Sequence, residues 1–132
     1  MRPTTRFAIA LAAATSLTAT AGGDARGVRA VSPNEAAPLL DDPDVVVLDV
    51  RTAPEVAQAR LADEVLHLDF HDPAFPKQLA ELDRTATYLM YCRSGQRSGN
   101  ARTLMEELGF TDVVDVRGGL IAWVDAGFEV HG

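Results

Sequence analysis

Apolar residues along the chain fall into short continuous runs separated by segments with helical spacing. The runs at residues 45–48 and 87–91 are unbroken by charge, which is typical of strands buried on both faces of a sheet. Weaker or shorter runs of β-branched and aliphatic residues predict three further strands, at 28–31, 65–68 and 113–116. The pattern therefore predicts five strands.

Helix signals lie between these runs. Ser32 precedes Pro33 and Glu35, a capping-box pattern that predicts a helix running to about residue 40. Apolar residues share one helical face in the segment 98–108, which ends at a glycine. Three other helices are expected at 54–58, 75–82 and 120–126. Strands that alternate with helices predict an α/β fold with a mainly parallel sheet.

The first 21 residues have a different character. Arg2 and Arg6 precede an apolar, alanine-rich run that ends in Ala19-Thr20-Ala21, the arrangement of a secretory signal peptide cleaved before Gly22. We therefore expect residues 1–21 to be removed, residues 24–132 to form one domain, and the product to be periplasmic or secreted without stable membrane insertion. An uncleaved N-terminal membrane anchor is the alternative.

Composition excludes several classes of protein. The 12 Lys and Arg residues face 19 Asp and Glu residues, a net charge of −7 that argues against a nucleic-acid binder. A single cysteine rules out an intramolecular disulfide. The three histidines and the cysteine form no metal-binding pattern, so we expect no metal site.

That single cysteine, Cys92, directly follows a predicted buried strand and precedes a helix. Ligand crevices of parallel sheets lie at this end of the strands. The polar loop Arg93-Ser94-Gly95-Gln96-Arg97 offers backbone N–H groups and two cations next to the sulfur. Together with the start of a helix, these groups favour a thiolate and an anionic substrate.

The loop resembles the active-site loop of the rhodanese family, the single-domain thiosulfate sulfurtransferases. Asp49-Val50-Arg51 with Glu55 is similar to the family's D-V-R-x-x-x-E stretch. The segment from Gly118-Gly119 to Trp123, with Gly127, resembles its G-G-x-x-x-W…G ending. Ala59-Arg60-Leu61 departs from the family pattern, which has Gly-His-Ile there.

The resemblance implies a rhodanese domain with a five-stranded sheet flanked by helices. It also implies that the Cys92 thiolate takes the outer sulfur of thiosulfate, or of a related donor, as a persulfide and passes it to a thiophilic acceptor. No cofactor is required, and the partners are a small anionic sulfur donor and an acceptor that could be a protein. Residues 93–97 would bind the substrate, with Arg93 and Arg97 stabilising the departing anion.

Supporting roles fall to residues outside the substrate-binding loop. Asp49 is expected to support the loop, and Arg51 to form a structural ion pair with Glu55. Gly95 is expected to allow a positive φ or a close backbone approach, and Ser98 to cap the following helix.

Three other functions are alternatives, and the third of them is disfavoured. The domain could be a sulfur-carrier or binding module that serves a protein partner, or a redox-sensing thiol protein. The related phosphatases place arginine six positions after the cysteine, where this chain has Ser98. Phosphatase activity is therefore not expected.

Overall fold

A computed structural model describes residues 26–132, and the predicted signal peptide at residues 1–21 with its cleavage site lies outside them. The strands are β1 (Gly27–Val31), β2 (Val45–Asp49), β3 (Leu66–His67), β4 (Thr87–Tyr91) and β5 (Asp112–Val116). The helices are α1 (Pro33–Ala36), α2 (Ala53–Gln58), α3 (Phe75–Ala80), α4 (Gln96–Glu107) and α5 (Gly119–Asp125).

The five strands form one sheet in the order β1-β5-β4-β2-β3. Every neighbouring pair is parallel, with Asp49 of β2 opposite Tyr91 of β4 at the carboxyl ends of these two inner strands. This arrangement confirms the predicted α/β class with its parallel sheet. It also gathers the residues that follow β2, β4 and β5 at one edge.

Two apolar layers cover the sheet. In β4, Tyr88 and Met90 belong to one core cluster and Leu89 and Tyr91 to the other, as expected for side chains that alternate between faces. Helix α4 contributes Ala101 and Met105 to the first cluster, and Trp123 of α5 belongs to the second.

The first predicted helix is shorter than expected. Its capping box is present at Ser32 and Glu35, but the α-helix ends at Ala36 and a 3-10 helix continues over Ala37–Asp41. Pro38 explains the change, because it lacks the N–H that would continue the α-helical hydrogen bonds.

Elsewhere the bounds differ mainly at the ends of elements. Strand β3 is reduced to two residues at the edge of the sheet, and α3 ends at Ala80. Within residues 26–132, no helix has both the length and the apolar character needed to span a bilayer.

Candidate active site

Cys92 lies directly after β4, at the carboxyl end of a central strand, and its residue is fully buried. Its Sγ accepts hydrogen bonds from the N–H groups of Gly95 at 3.0 Å and Ser98 at 3.3 Å. The thiol also donates to Ser98 Oγ at 3.4 Å. Backbone donors aimed at one sulfur stabilise negative charge on it, which is what a nucleophilic thiolate requires.

The loop curls around the sulfur because Gly95 adopts a φ of +98°, a conformation that residues with a Cβ rarely adopt. Gly95 is also the residue that precedes α4, which begins at Gln96. The expectation that Ser98 caps this helix is therefore wrong. Ser98 lies inside the first turn, fully buried, and its N–H and hydroxyl both contact Cys92.

The start of α5 supports the loop from a second direction. The N–H groups of Leu120 and Ile121 donate to the carbonyls of Cys92 at 2.9 Å and Arg93 at 3.0 Å. Gly119 has a φ of +64°, and a Cβ placed there would lie 2.5 Å from the Arg93 carbonyl oxygen and 2.6 Å from that of Cys92. Only glycine allows this approach, so α5 holds the loop through backbone contacts.

Arg97 forms a two-pronged ion pair with Glu55 of α2, with N–O distances of 2.8 and 2.9 Å. Hydrogen bonds from Arg97, and then from Thr52, lower the pKa of Glu55 from its ordinary value of 4.5 to about 2. The predicted Arg51–Glu55 pair is therefore wrong. Arg97 was expected to stabilise the departing anion, but its side chain is only 19% exposed and is already paired with Glu55.

Arg51 pairs instead with Asp49, at 2.7 Å, and both residues are buried. The guanidinium also donates to the carbonyl of Ala59 at 2.6 Å. The hydroxyl of Tyr91 donates to Asp49, and burial followed by this hydrogen bond raises the pKa of Tyr91. Asp49 therefore contacts the residue immediately before Cys92.

Comparison with known proteins identifies the family to which this domain belongs. The model of the rhodanese-like domain family matches residues 32–126. The chain belongs to the rhodanese-like domain family. Its relatives include a protein of Allochromatium vinosum named sulfurtransferase, which is 36% identical over 92 residues, 70% of this chain and 83% of that protein.

Two other similar proteins differ in how much of their length this rhodanese-like domain covers. A tRNA uridine(34) hydroxylase of Acaryochloris marina is 33% identical over 72% of this chain, which spans only 32% of that longer protein. The crystal structure of a rhodanese-related protein from Thermoplasma volcanium superposes with a TM-score of 0.67 at 25% identity, covering 78% of this chain and 97% of that one.

The remaining loop side chains of the rhodanese-like domain point outward. Arg93, Ser94 and Gln96 are exposed. Among residues 26–132, Arg93 has no ion-pair partner, unlike Arg51 and Arg97. It borders a cleft of about 340 Å³, which we call the front cleft; its lining comprises Arg51, Glu55, Gln58, Ala59, Arg93, Leu120, Ile121, Val124 and Asp125.

The segment that departs from the family pattern, Ala59-Arg60-Leu61, contacts the site through its backbone. The carbonyl of Ala59 accepts from Arg51, and the N–H of Leu61 donates to the hydroxyl of Tyr91 at 3.0 Å. The segment therefore still contacts the residues behind the loop.

Sequence reasoning missed two contributors to the site. Tyr91 appeared only as part of an apolar strand, although its hydroxyl joins Asp49 to Leu61. Gly119 was noted only as part of the G-G-x-x-x-W…G resemblance, and its contact with the loop carbonyls depends on the tertiary fold. Within the described residues, no three His, Cys, Asp or Glu side chains are grouped as metal ligands.

Proposed function

We propose that this chain is a sulfurtransferase in which Cys92 carries the transferred sulfur. The observation that carries the proposal is the sulfur cradle, the N–H groups of Gly95 and Ser98 directed at a buried Sγ at 3.0 and 3.3 Å. Family membership and the A. vinosum sulfurtransferase support sulfur transfer as the reaction class.

The proposed donor is thiosulfate or a related sulfane-sulfur anion. The Cys92 thiolate attacks the outer sulfur, the S–S bond of the donor breaks, and sulfite leaves with the bonding electron pair. A thiophilic acceptor then attacks the terminal sulfur of the Cys92 persulfide and regenerates the thiolate. The two cradle N–H groups stabilise negative charge on sulfur in both steps.

Arg93 is the proposed anion-binding side chain. It is exposed, unpaired among the described residues and adjacent to the nucleophile, so it can attract a donor such as thiosulfate to the front cleft. Arg97 has a different proposed role: its pair with Glu55 ties the loop to α2 and keeps the cradle in place.

Mass spectrometry tests the proposal directly. Thiosulfate should add one sulfur, about 32 Da, to the intact protein, and cyanide should remove it and release thiocyanate. Cys92→Ser should fold but neither load sulfur nor turn over, because a hydroxyl is far less ionised and less thiophilic. Turnover by Cys92→Ser would contradict the mechanism.

A sulfur-carrier or binding module for a protein partner is the second candidate. The occurrence of a similar domain as about a third of a tRNA uridine(34) hydroxylase favours it, since there the domain is part of a larger protein. If the folded wild type takes sulfur from none of thiosulfate, mercaptopyruvate and small persulfides, this candidate replaces the enzyme. Hydrolysis of aryl phosphates that depends on Cys92 would instead support the phosphatase reading.

We further propose that the protein is exported and begins at or near Gly22. The support is the arginine-flanked apolar run that ends in Ala19-Thr20-Ala21. N-terminal sequencing and intact mass of periplasmic or secreted protein from the native host would test it, and full-length protein retained in the cytoplasm would contradict it.

A further inference from the structure

The front cleft gathers most of the large exposed apolar side chains among residues 26–132. Ile121 is 43% exposed and Val124 is 50% exposed, and Val130 is the only other large apolar residue that is exposed in that range. Ile121 and Val124 both line the front cleft, three positions apart on α5 and therefore on one side of the helix. Isolated exposed apolar residues are ordinary, but two that share a cleft beside a nucleophile form a surface that a ligand can cover.

Backbone contacts place this apolar wall close to the reacting sulfur. The N–H of Ile121 donates to the carbonyl of Arg93 at 3.0 Å, and Arg93 follows Cys92 directly in the chain. Leu120, whose N–H donates to the carbonyl of Cys92 at 2.9 Å, also lines the front cleft. A donor whose outer sulfur reaches Cys92 from this cleft would therefore place its substituent against α5.

Charged groups are distributed unevenly along the cleft. Arg93 is exposed and has no ion-pair partner among the described residues, whereas the other lining arginine, Arg51, is paired with Asp49. Asp125 also lines the cleft and lies one helical turn beyond Ile121, about 6 Å further along the axis of α5. An anionic head group is attracted to Arg93, and a second anionic group near Asp125 is repelled. The complement of this surface is an anion that carries a neutral, apolar body.

The front cleft is also larger than an inorganic donor requires. Its volume is about 340 Å³, within the range of about 300–1,000 Å³ that is typical of pockets for organic ligands. Thiosulfate, with five heavy atoms, occupies roughly 100 Å³ on a scale of about 30 Å³ per water molecule. Bound thiosulfate would therefore leave most of the apolar wall in contact with water.

We propose that the front cleft selects an organic sulfur donor, a thiosulfonate whose neutral apolar substituent packs on Ile121 and Val124. The inference rests on the proposed function and names the substrate class of the same site. The Cys92 thiolate forms a bond to the outer sulfur of R–SO₂–S⁻, the S–S bond of the donor breaks, and the sulfinate R–SO₂⁻ leaves with the bonding electron pair. Cys92 becomes a persulfide anion, so atoms and charge balance without a further reactant. Arg93 binds the sulfonyl oxygens.

Methanethiosulfonate and n-butanethiosulfonate provide the test, because they have the same reacting atoms and differ by three methylene groups. Full burial of one methylene improves binding about fourfold, so partial burial of three in an open cleft should raise kcat/KM for the longer donor about tenfold, with cyanide as acceptor. The double variant Ile121→Thr/Val124→Thr should reduce this ratio to about twofold or less, because threonine stays β-branched but puts a hydroxyl on the wall.

Val130→Thr is the matched control, because Val130 is 39% exposed but does not line the front cleft. This variant should keep the wild-type ratio of the two kcat/KM values. A wild-type ratio near one would overturn the proposal. An unchanged ratio in the double variant, or an equal fall in Val130→Thr, would overturn it as well.

A non-reacting analogue, n-butanesulfonate, separates the failure of this proposal from the failure of the sulfurtransferase, because it lacks the outer sulfur. In an NMR titration it should shift the backbone amide signals of Ile121 and Val124 and bind about tenfold more tightly than methanesulfonate. Such binding without sulfur loading from any donor would support the apolar site and overturn the sulfurtransferase. Sulfur loading without a preference for the longer donor or the longer sulfonate would support the sulfurtransferase and overturn the apolar site.

Discussion

Substitution of Gly119 by alanine should damage the sulfur cradle although Gly119 does not line the front cleft. The new Cβ would lie 2.5 Å from the Arg93 carbonyl oxygen and 2.6 Å from the Cys92 carbonyl oxygen. A carbon and an oxygen need a little over 3 Å, so the loop or α5 must move by roughly 0.7 Å. The shift would disturb the hydrogen bonds that Leu120 and Ile121 donate to these carbonyls.

Two separate effects set the expected loss of unfolding free energy in Gly119→Ala. A left-handed conformation costs a residue with a Cβ about 1–2 kcal/mol, and the crowding adds about 1–3 kcal/mol. Gly127→Ala is the matched control, because Gly127 has a φ of +94° but open space around the position of a new Cβ. We therefore expect Gly119→Ala to lose about 2–5 kcal/mol of unfolding free energy and Gly127→Ala only about 1–2 kcal/mol.

Urea unfolding and the rate of sulfur loading from thiosulfate measure the two effects. Gly119→Ala should load sulfur at least about tenfold more slowly under conditions in which it is fully folded, because small displacements of a positioned group are costly in rate. Gly127→Ala should load at the wild-type rate. Equal stability and equal loading in the two variants would refute the reasoning that α5 holds the loop.

Three further predictions concern the side chains around the loop. Tyr91→Phe removes the hydroxyl that donates to Asp49 and should lower the unfolding free energy by about 1–3 kcal/mol in urea titrations; an unchanged midpoint would contradict this. In the folded state the pKa of Glu55 lies near 2, below its ordinary value of 4.5. The pair with Arg97 therefore stabilises the fold above about pH 4.5, and this stabilisation is lost as the pH falls towards 2. Glu55→Gln should lose about 1–2 kcal/mol at neutral pH and much less near pH 2, and an equal loss at both would contradict the assignment. Arg93→Ala should raise the KM for thiosulfate about tenfold with unfolding unchanged, and Arg93→Lys should recover part of the loss; an unchanged KM would assign Arg93 to solvent.

Most of the fold could be predicted from the sequence. Strands buried on both faces of a parallel sheet form continuous apolar runs, which are easily recognised, whereas half-exposed strands alternate apolar and polar residues. The runs that predicted β2 and β4 differ from the observed strands by at most one residue. Prediction failed where tertiary context decides: of the predicted strand 65–68, only Leu66 and His67 lie in register with β2, opposite Leu48 and Asp49. The N-terminus of α4 shifted because Gly95 turns the chain earlier than the cap expected at Ser98.

The sequence identified most residues of the site but did not predict which of them form ion pairs with each other. Glu55 lies four positions after Arg51, which suggests a helical ion pair, but α2 begins only at Ala53 and Arg51 lies outside it. The true partner, Arg97, is distant in sequence and reaches Glu55 only because β2 and β4 are neighbours in the sheet. Sequence spacing cannot report such a pair.

The position of Asp115 in β5 marks it as unusual, although we did not single it out from the sequence. In the strand sequence Asp-Val-Val-Asp-Val, alternation places Asp115 on the same face as Val113, which packs in the core cluster beneath α4. A charged residue at a core-facing position of a central strand is expected to be paired or functional. In the structure it is paired with Arg102, whose Nη1 lies 3.4 Å from Asp115 Oδ2.

The loop contacts suggest how donor preference can change without loss of the nucleophile. The cradle depends on backbone N–H groups and on Gly95 and Gly119, none of which contributes a side chain to the donor. Arg93, by contrast, is exposed, pairs with nothing described and borders the front cleft, whose other wall includes the half-exposed Ile121. Because different atoms hold the sulfur and face the donor, substitutions at Arg93 and Ile121 should alter which donors are used while Cys92 keeps its reactivity towards iodoacetamide.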